Sequence, residues 1–219
     1  MSSPRRRDRQ RRPRPAPAEK EWIPRTRSGY LVKEGEITSI YDFFARSLKI
    51  DDIEIVNVLV PNLTEKVLAV GRVQRQTDAG RKTLFRVTAA VGSGNGLVGL
   101  GKGKAAGVGT AIRSAVNQAK LNLVPVKRGC GSWECGCGTN HSIPFQTEGK
   151  IASVRVKLIP APKGLGLVIG SEAKSVLRLA GIKDVWSHTY GETRTTDNFC
   201  CATFEALRAT YNVVHPREW

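Results

Sequence analysis

The stretch Ala89-Ala90-Val91-Gly92-Ser93-Gly94-Asn95-Gly96-Leu97-Val98-Gly99-Leu100-Gly101-Lys102-Gly103-Lys104-Ala105-Ala106-Gly107-Val108-Gly109 carries eight glycines in the eighteen residues from Gly92 to Gly109. Glycine this dense costs backbone entropy and supplies no side chain for packing, so it marks chain that turns tightly or lies close to something else. Just before it, Phe85, Val87, Ala89 and Val91 alternate with Leu84, Arg86, Thr88 and Ala90, the period of a strand. Gly94-Asn95-Gly96 reads as a turn, and Leu97 to Gly101 as a further strand. After the last glycines a helix is expected from about Ala105 to Leu123. Ile112, Ala115, Val116, Ala119 and Leu123 form its apolar face, and Arg113, Asn117 and Lys120 a polar one. Upstream, Val67-Leu68-Ala69-Val70 runs into Arg72-Val73-Gln74-Arg75, and Thr77-Asp78-Ala79-Gly80 has the composition of a hairpin turn.

Lys102 and Lys104 among the glycines point to an anionic neighbour, either a nucleotide phosphate or a nucleic-acid backbone. A phosphate-binding loop needs a hydroxyl after its lysine to hold magnesium. Gly96 to Lys102 fits up to the lysine, but the next residue is Gly103. Gly94, Gly96 and Gly99 satisfy the spacing of a dinucleotide fingerprint, yet Leu97-Val98 inside it reads as strand, and the acidic residue expected about 20 positions on is lacking. Glycines that merely form hairpin turns are the plain alternative.

Charge decides between the anions. The 219 residues hold 35 Lys plus Arg against 19 Asp plus Glu, a formal charge of +16. Residues 129–219 contain 10 basic and 8 acidic residues, so residues 1–128, with 25 and 11, carry +14 of the excess. Such asymmetry points to a polyanion partner. No apolar run approaches the roughly 18 residues of a membrane span, and the N-terminus lacks the apolar core of a signal peptide, so a cytoplasmic location with reduced thiols and no membrane partner is expected.

Residues 1–20 are an Arg- and Pro-rich arm expected to be disordered alone and to bind phosphates by counterion release. Ordered structure is expected from about Trp22. Ser39 with Asp42 resembles a capping box ahead of Ile40, Phe43, Phe44 and Leu48, and a second short helix through Ile55, Val56 and Leu59 stops at Pro61. These helices, the three-stranded antiparallel sheet and the long helix follow the order of a double-stranded-RNA-binding type of domain (α-β-β-β-α), which meets backbone rather than base edges. A second unit starts near Ile143. It has a strand through Ile151, Val154, Val156 and Leu158, a loop from Pro160 to Gly166, a helix over 171–180, a strand over 183–189, and a helix from Asp197 to about Tyr211. The fold class is therefore α+β, with a β-α-β-α second unit.

Val124-Pro125-Val126-Lys127-Arg128-Gly129, Ile143-Pro144-Phe145, Gly149-Lys150-Ile151-Ala152-Ser153-Val154-Arg155-Val156, Leu158-Ile159-Pro160-Ala161-Pro162-Lys163-Gly164 and the segment Val91–Gly103 resemble the small-subunit ribosomal protein S-five family. The likeness runs from about Trp22 to the end. The leading helices, the Pro-Ala-Pro-Lys-Gly loop and the closing Arg217-Glu218-Trp219 are similar to its archaeal and eukaryotic branch. The resemblance implies a double-stranded-RNA-binding-like domain followed by a β-α-β-α domain. It also implies a non-enzymatic role in the small subunit, binding its rRNA near the path by which mRNA enters, beside ribosomal proteins S-three and S-four, with an influence on decoding fidelity. The family's long hairpin corresponds to Gln74 through Thr83 here. The expected RNA contacts are then Arg72, Arg75, Arg81, Lys82 and Arg86, with Gln76 and Thr77 at the tip. Lys102 and Lys104 add to them, as do Asn95 in the second turn, Arg113 and Lys120 on the long helix, Lys127 and Arg128 after it, and Lys163 in the second unit's loop.

Cys130, Cys135, Cys137 and His141 are spaced C-x4-C-x-C-x3-H. Three thiolates and an imidazole can close a tetrahedral structural zinc site. Glycines at 129, 131, 136 and 138 would let so short a loop wrap one ion and staple the linker. The resemblance by itself does not imply zinc, and an RNA-contacting loop with incidental thiols is the alternative. Cys200 and Cys201 sit on the expected last helix as ordinary core or surface thiols. The chain is thus expected to divide into an arm (1–20), a helical extension (21–62), an RNA-binding-like domain (63–128), a Cys/Gly-rich linker (129–142) and a C-terminal domain (143–219). Two other functions compete with a ribosomal role: a zinc-containing RNA-binding regulator outside the ribosome, and a nucleotide-dependent, kinase-like enzyme.

Overall fold

In the computed structural model residues 22–212 are described; the arm expected over 1–20 and the closing Arg217-Glu218-Trp219 lie outside them. Helices α1 (Arg27–Lys33), α2 (Ile40–Ala45) and α3 (Ile53–Leu59) lead. Strands β1 (Thr64–Thr77), β2 (Gly80–Gly92) and β3 (Leu97–Ala105), helix α4 (Val108–Leu121) and strand β4 (Leu123–Pro125) follow. The second unit holds β5 (Thr147–Ile151), β6 (Val154–Pro160), α5 (Ser171–Ala180), β7 (Val185–Tyr190) and α6 (Thr196–Arg208). The strands form two antiparallel sheets, in the orders β1-β2-β3-β4 and β5-β6-β7.

The glycine stretch meets its neighbour inside the fold. Gly99, Gly101 and Gly103 share one face of β3, and α4 lies directly on them. A Cβ at Gly99 would stand 2.2 Å from the Ala119 carbonyl oxygen, one at Gly101 2.2 Å from that of Ala115, and one at Gly103 2.4 Å from that of Ala111. Ala111, Ala115 and Ala119 are fully buried, so small residues face each other across the contact, with Val87, Ala89 and Val91 of β2 beside them. The nucleotide reading fails here, because α4 fills the space a phosphate would need. The helix starts at Val108 rather than near Ala105, because β3 stays paired with β2 as far as Ala105 opposite Phe85.

The opposite face of the same sheet is covered by the second unit. Leu68, Ala90, Val98 and Leu100 share one apolar cluster with Val156, Leu158, Leu177, Phe199 and Leu207. The Gly94-Asn95-Gly96 turn docks on the end of α5: the Gly94 amide donates to the Leu179 carbonyl (2.9 Å) and the Gly96 amide to that of Ala180 (3.0 Å). A third cluster packs α1–α3 through Ile37, Phe43, Ile55 and Val56 against Leu97 and Leu123.

Ser39 caps α2, accepting from the Tyr41 amide at 3.3 Å. The β-α-β-α order of the second unit holds with its first strand doubled into the β5–β6 hairpin, which turns at Ala152-Ser153 with Ala152 at φ 52°. The cap of α6 is Thr195, not Asp197; Asp197 sits in the first turn and is turned inward. Helix α1 and the short β4 were not expected from the sequence.

The α4 contact predicts opposite outcomes for two Gly→Ala changes. Gly101→Ala must push the helix off the sheet and should lower unfolding free energy by about 1–3 kcal/mol. Gly109→Ala, on α4 with open space around its Cβ position, should be neutral or stabilise by up to about 1 kcal/mol. Denaturant titration of the two variants against the parent chain measures both.

Candidate nucleic-acid interface and metal cluster

The β1–β2 ribbon runs beyond the helix that covers its base. From Gln74 to Thr77 and at Arg81 and Lys82 every residue is exposed. The register places Arg75 opposite Lys82, Gln76 opposite Arg81 and Arg72 opposite Phe85. Cross-strand partners share a face, so Arg75 and Lys82 stand side by side on one face and Arg72 and Arg81 on the other. Like charges directly opposite destabilise a ribbon. Arg72, Arg75, Arg81 and Lys82 form no ion pair among the described residues. Thr77 shapes the tip, its hydroxyl donating to the Gly80 carbonyl at 2.7 Å, while the Gln76 amide reaches the Thr77 carbonyl at 3.5 Å. Six of the expected RNA contacts thus form one exposed cationic finger.

The other expected contacts are scattered. Arg86 is tied inward: its guanidinium lies 2.6 Å from Asp197 Oδ2, and the buried Thr88 hydroxyl donates to Asp197 Oδ1 at 2.7 Å. This carboxylate, which the sequence suggested only as a cap, bridges the two units. Lys102 and Lys104 are exposed, opposite Thr88 and Arg86 on β2, and on the face of β3 away from the glycine stripe. Lys120 is held by Glu65 Oε1 at 3.1 Å and Asn57 Oδ1 at 3.3 Å. Arg113 is exposed on α4, and Lys163 is exposed on the loop after β6. Asn95 is exposed at its turn, where its carbonyl accepts from the Tyr41 hydroxyl at 3.0 Å. Half-buried Arg128 donates to the Gly94 carbonyl at 3.3 Å, and the Lys127 ammonium lies 5.4 Å from the Tyr211 ring centroid.

The linker brings all four expected metal ligands together. The Gly129–Ser142 bridge, with 2.9 Å amide-to-carbonyl bonds in both directions, closes the loop at its base. Within the loop the three thiol sulfurs and a His141 ring nitrogen lie within 4.8 Å of one another. Cys137 Sγ is 3.6 Å from Cys130 Sγ, and Cys135 Sγ is 3.9 Å from His141 Nε2. A tetrahedron with metal–sulfur bonds of about 2.3 Å has sulfur–sulfur edges of about 3.8 Å, so these separations match the donor spacing of such a site. All five cysteines are free thiols. Hydrogen bonds from the Thr139 hydroxyl and backbone lower the Cys137 pKa to about 6, while burial, aided by the neighbouring thiols, raises that of Cys130. Cys200 is unconnected to the cluster, and burial pushes its thiol up to about 12. Asp184, which no sequence signal marked, stands behind the cluster with Oδ2 2.8 Å from His141 Nδ1.

Comparison with known proteins adds a family. Residues 63–127 match the family model "Ribosomal protein S5, N-terminal domain", and residues 149–216 match "Ribosomal protein S5, C-terminal domain". The chain is 58% identical over 199 residues to "Small ribosomal subunit protein uS5" of Thermofilum pendens, covering 91% of this chain and 98% of that one. It is 58% identical over 200 residues to the protein of that name in Ignicoccus hospitalis (91% and 95% covered). Against the one in Methanocaldococcus jannaschii it is 59% identical over 189 residues (86% and 87%).

The thiol environments give a pH-dependent expectation for reduced, metal-free protein. A lowered pKa keeps Cys137 as thiolate down to about pH 6. Alkylation by iodoacetamide should therefore be fastest at Cys137, with a midpoint near pH 6, and slowest at Cys200. Peptide mapping after timed alkylation from pH 5 to 9 reads both.

Proposed function

Because the chain belongs to the ribosomal protein S5 family, we propose that it is a structural constituent of the small ribosomal subunit, binding small-subunit rRNA, lining the path by which mRNA enters and supporting decoding fidelity. Its relatives are named as ribosomal proteins, and it is not an enzyme. The observation that carries the RNA reading is the exposed finger in which Arg75 faces Lys82 and neither forms an ion pair among the described residues. Phosphates on both faces of the ribbon relieve that repulsion, and counterion release makes the binding salt-dependent. Lys102, Lys104, Arg113 and Lys163 extend the contact surface. Arg86 and Lys120 serve it from within, as anchors of the fold held by Asp197 and Glu65. The partners in this reading are rRNA, mRNA near its entrance and the neighbouring proteins S-three and S-four, with the assembled subunit in the cytoplasm. The five-part division of the chain given above belongs to the same reading, supported by the separation of the two sheets.

The second element of the proposal is a zinc ion held by Cys130, Cys135, Cys137 and His141. The donor set and spacing suit zinc, which supplies structural cross-linking with no open coordination position. The segment carries four glycines and little apolar side chain, so a metal would supply cross-linking that its own side chains do not.

Two outcomes test these readings. Charge reversal at the finger (Arg75→Glu with Arg81→Glu and Lys82→Glu) should weaken rRNA binding, flatten its salt dependence and change misreading in assembled subunits. The isolated protein's stability should move by less than about 0.5 kcal/mol, since all three sites are exposed. Unchanged fidelity and RNA affinity would remove the finger from the interface. Native mass spectrometry of the purified chain should find one zinc, lost in Cys135→Ser.

A further inference from the structure

His141 is held more firmly than a surface-loop ligand needs to be. Its side chain is only 5% exposed, and Asp184, itself 6% exposed, lies against its Nδ1. A carboxylate only accepts, so the proton of that 2.8 Å bond sits on Nδ1. Nε2 is then left on the side of the thiols, 3.9 Å from Cys135 Sγ. The backbone grips the same pair: the amides of Lys183 and Asp184 both donate to the His141 carbonyl, at 2.8 and 3.1 Å. The other carboxylate oxygen of Asp184 accepts from the Gly164 amide at 3.1 Å and the Gly166 amide at 2.8 Å. One buried carboxylate therefore joins the Cys/His loop to the loop that follows β6, and every bond it makes compensates its removal from water.

We propose that Asp184 is the outer-sphere partner of the metal site: it orients His141 to bind metal through Nε2 and fastens the metal-closed loop to the Gly164–Gly166 segment of the second unit. This inference rests on the metal reading above. Ligating histidines commonly donate their second ring N–H to a carboxylate, which fixes tautomer and ring direction and raises ligand basicity. Here that arrangement is already built, across 43 residues of sequence. Asp184 touches no metal, so it is a positioning residue. Its consequence is mechanical: metal loading should order the loop at Gly164–Gly166, next to the exposed Lys163, as well as the linker.

The test uses the full chain. Zinc affinity is measured by competition with a chromophoric chelator for the parent and for Asp184→Asn, with unfolding of both metal-free proteins followed in parallel. The expected result is an affinity about 10- to 100-fold lower in the variant, beyond any change in metal-free stability, together with loss of zinc-dependent amide-exchange protection at Gly164 and Gly166. Equal affinities in the two proteins would overturn the assignment while leaving the metal site itself in place. No zinc binding by the parent would instead remove the metal reading. A second measurement needs no variant: in parent protein loaded with cadmium-113, the metal should couple to His141 Nε2, with Nδ1 still protonated. Coupling to Nδ1 would overturn the proposal even if Asp184→Asn failed to fold.

Discussion

The contact between α4 and the glycine face of β3 is the constraint from which the remaining architecture follows. A helix can approach a strand this closely only where side chains are absent or minimal on both sides, and Gly99, Gly101 and Gly103 against Ala111, Ala115 and Ala119 supply that condition. With one face of the sheet filled by α4, the other face carries Ala90, Val98 and Leu100, too much apolar surface to leave in water. The second unit covers it. The Gly94–Gly96 turn makes that docking specific by presenting two amides to the last carbonyls of α5, which a helix end leaves without partners of its own.

Charge is sorted by the same geometry. Near the covered part of the sheet, Arg86 meets Asp197, and the pair is supported by Thr88. Such a pair adds specificity to the docking of α6 more than raw stability, because desolvation offsets much of its attraction. Further out, neither α4 nor the second unit reaches the ribbon. There the arginines and lysines lie in water, where repulsion between Arg75 and Lys82 is screened but not cancelled. Along one hairpin the cations change from ion-paired at Arg86 to carrying no ion pair among the described residues at Arg75, Arg81 and Lys82, the residues proposed to meet RNA. That difference assigns Arg86 and Arg75 to different roles although both are basic residues of the same ribbon.

The sequence made the strands and the long helix legible where the pattern was local. Alternation from Leu84 to Val91 and the i, i+4 alanines of α4 were both readable, and so was the family, through ordered blocks of matching residues. The role of the glycines was not. A glycine at every second position of a strand announces a close approach without saying to what. The answer lay in the equal spacing of small residues on the helix, which becomes informative only when the two segments are set face to face. The doubled first strand of the second unit was missed because two residues, Ala152 and Ser153, suffice to reverse the chain, one of them a non-glycine at positive φ. Asp197 was recognised as a helix-start residue, but its inward role depends on Arg86 and Thr88, 109 residues upstream in the latter case.

The Cys/His cluster shows how differently short-range and long-range information reach the sequence. Four candidate ligands within twelve residues are a local signal, and the structure gathers all four. What makes them one site is not local. The loop is short and glycine-rich, so its donors would sample many arrangements if nothing else held them, and ordering them would cost entropy at every glycine. His141 escapes that cost because it belongs to two structures at once. Its imidazole faces the thiols, while its carbonyl and Nδ1 are bound by Lys183 and Asp184, the two residues before β7. The next residue, Ser142, is buried, and its hydroxyl accepts from the Ala161 amide at 3.2 Å. The cluster is therefore founded on the second unit, through His141. That arrangement suits a clasp that a metal completes without having to build the domain beneath it. It also keeps the Cys/His cluster on residues separate from those of the cationic finger, so the proposed metal and RNA contacts draw on different side chains.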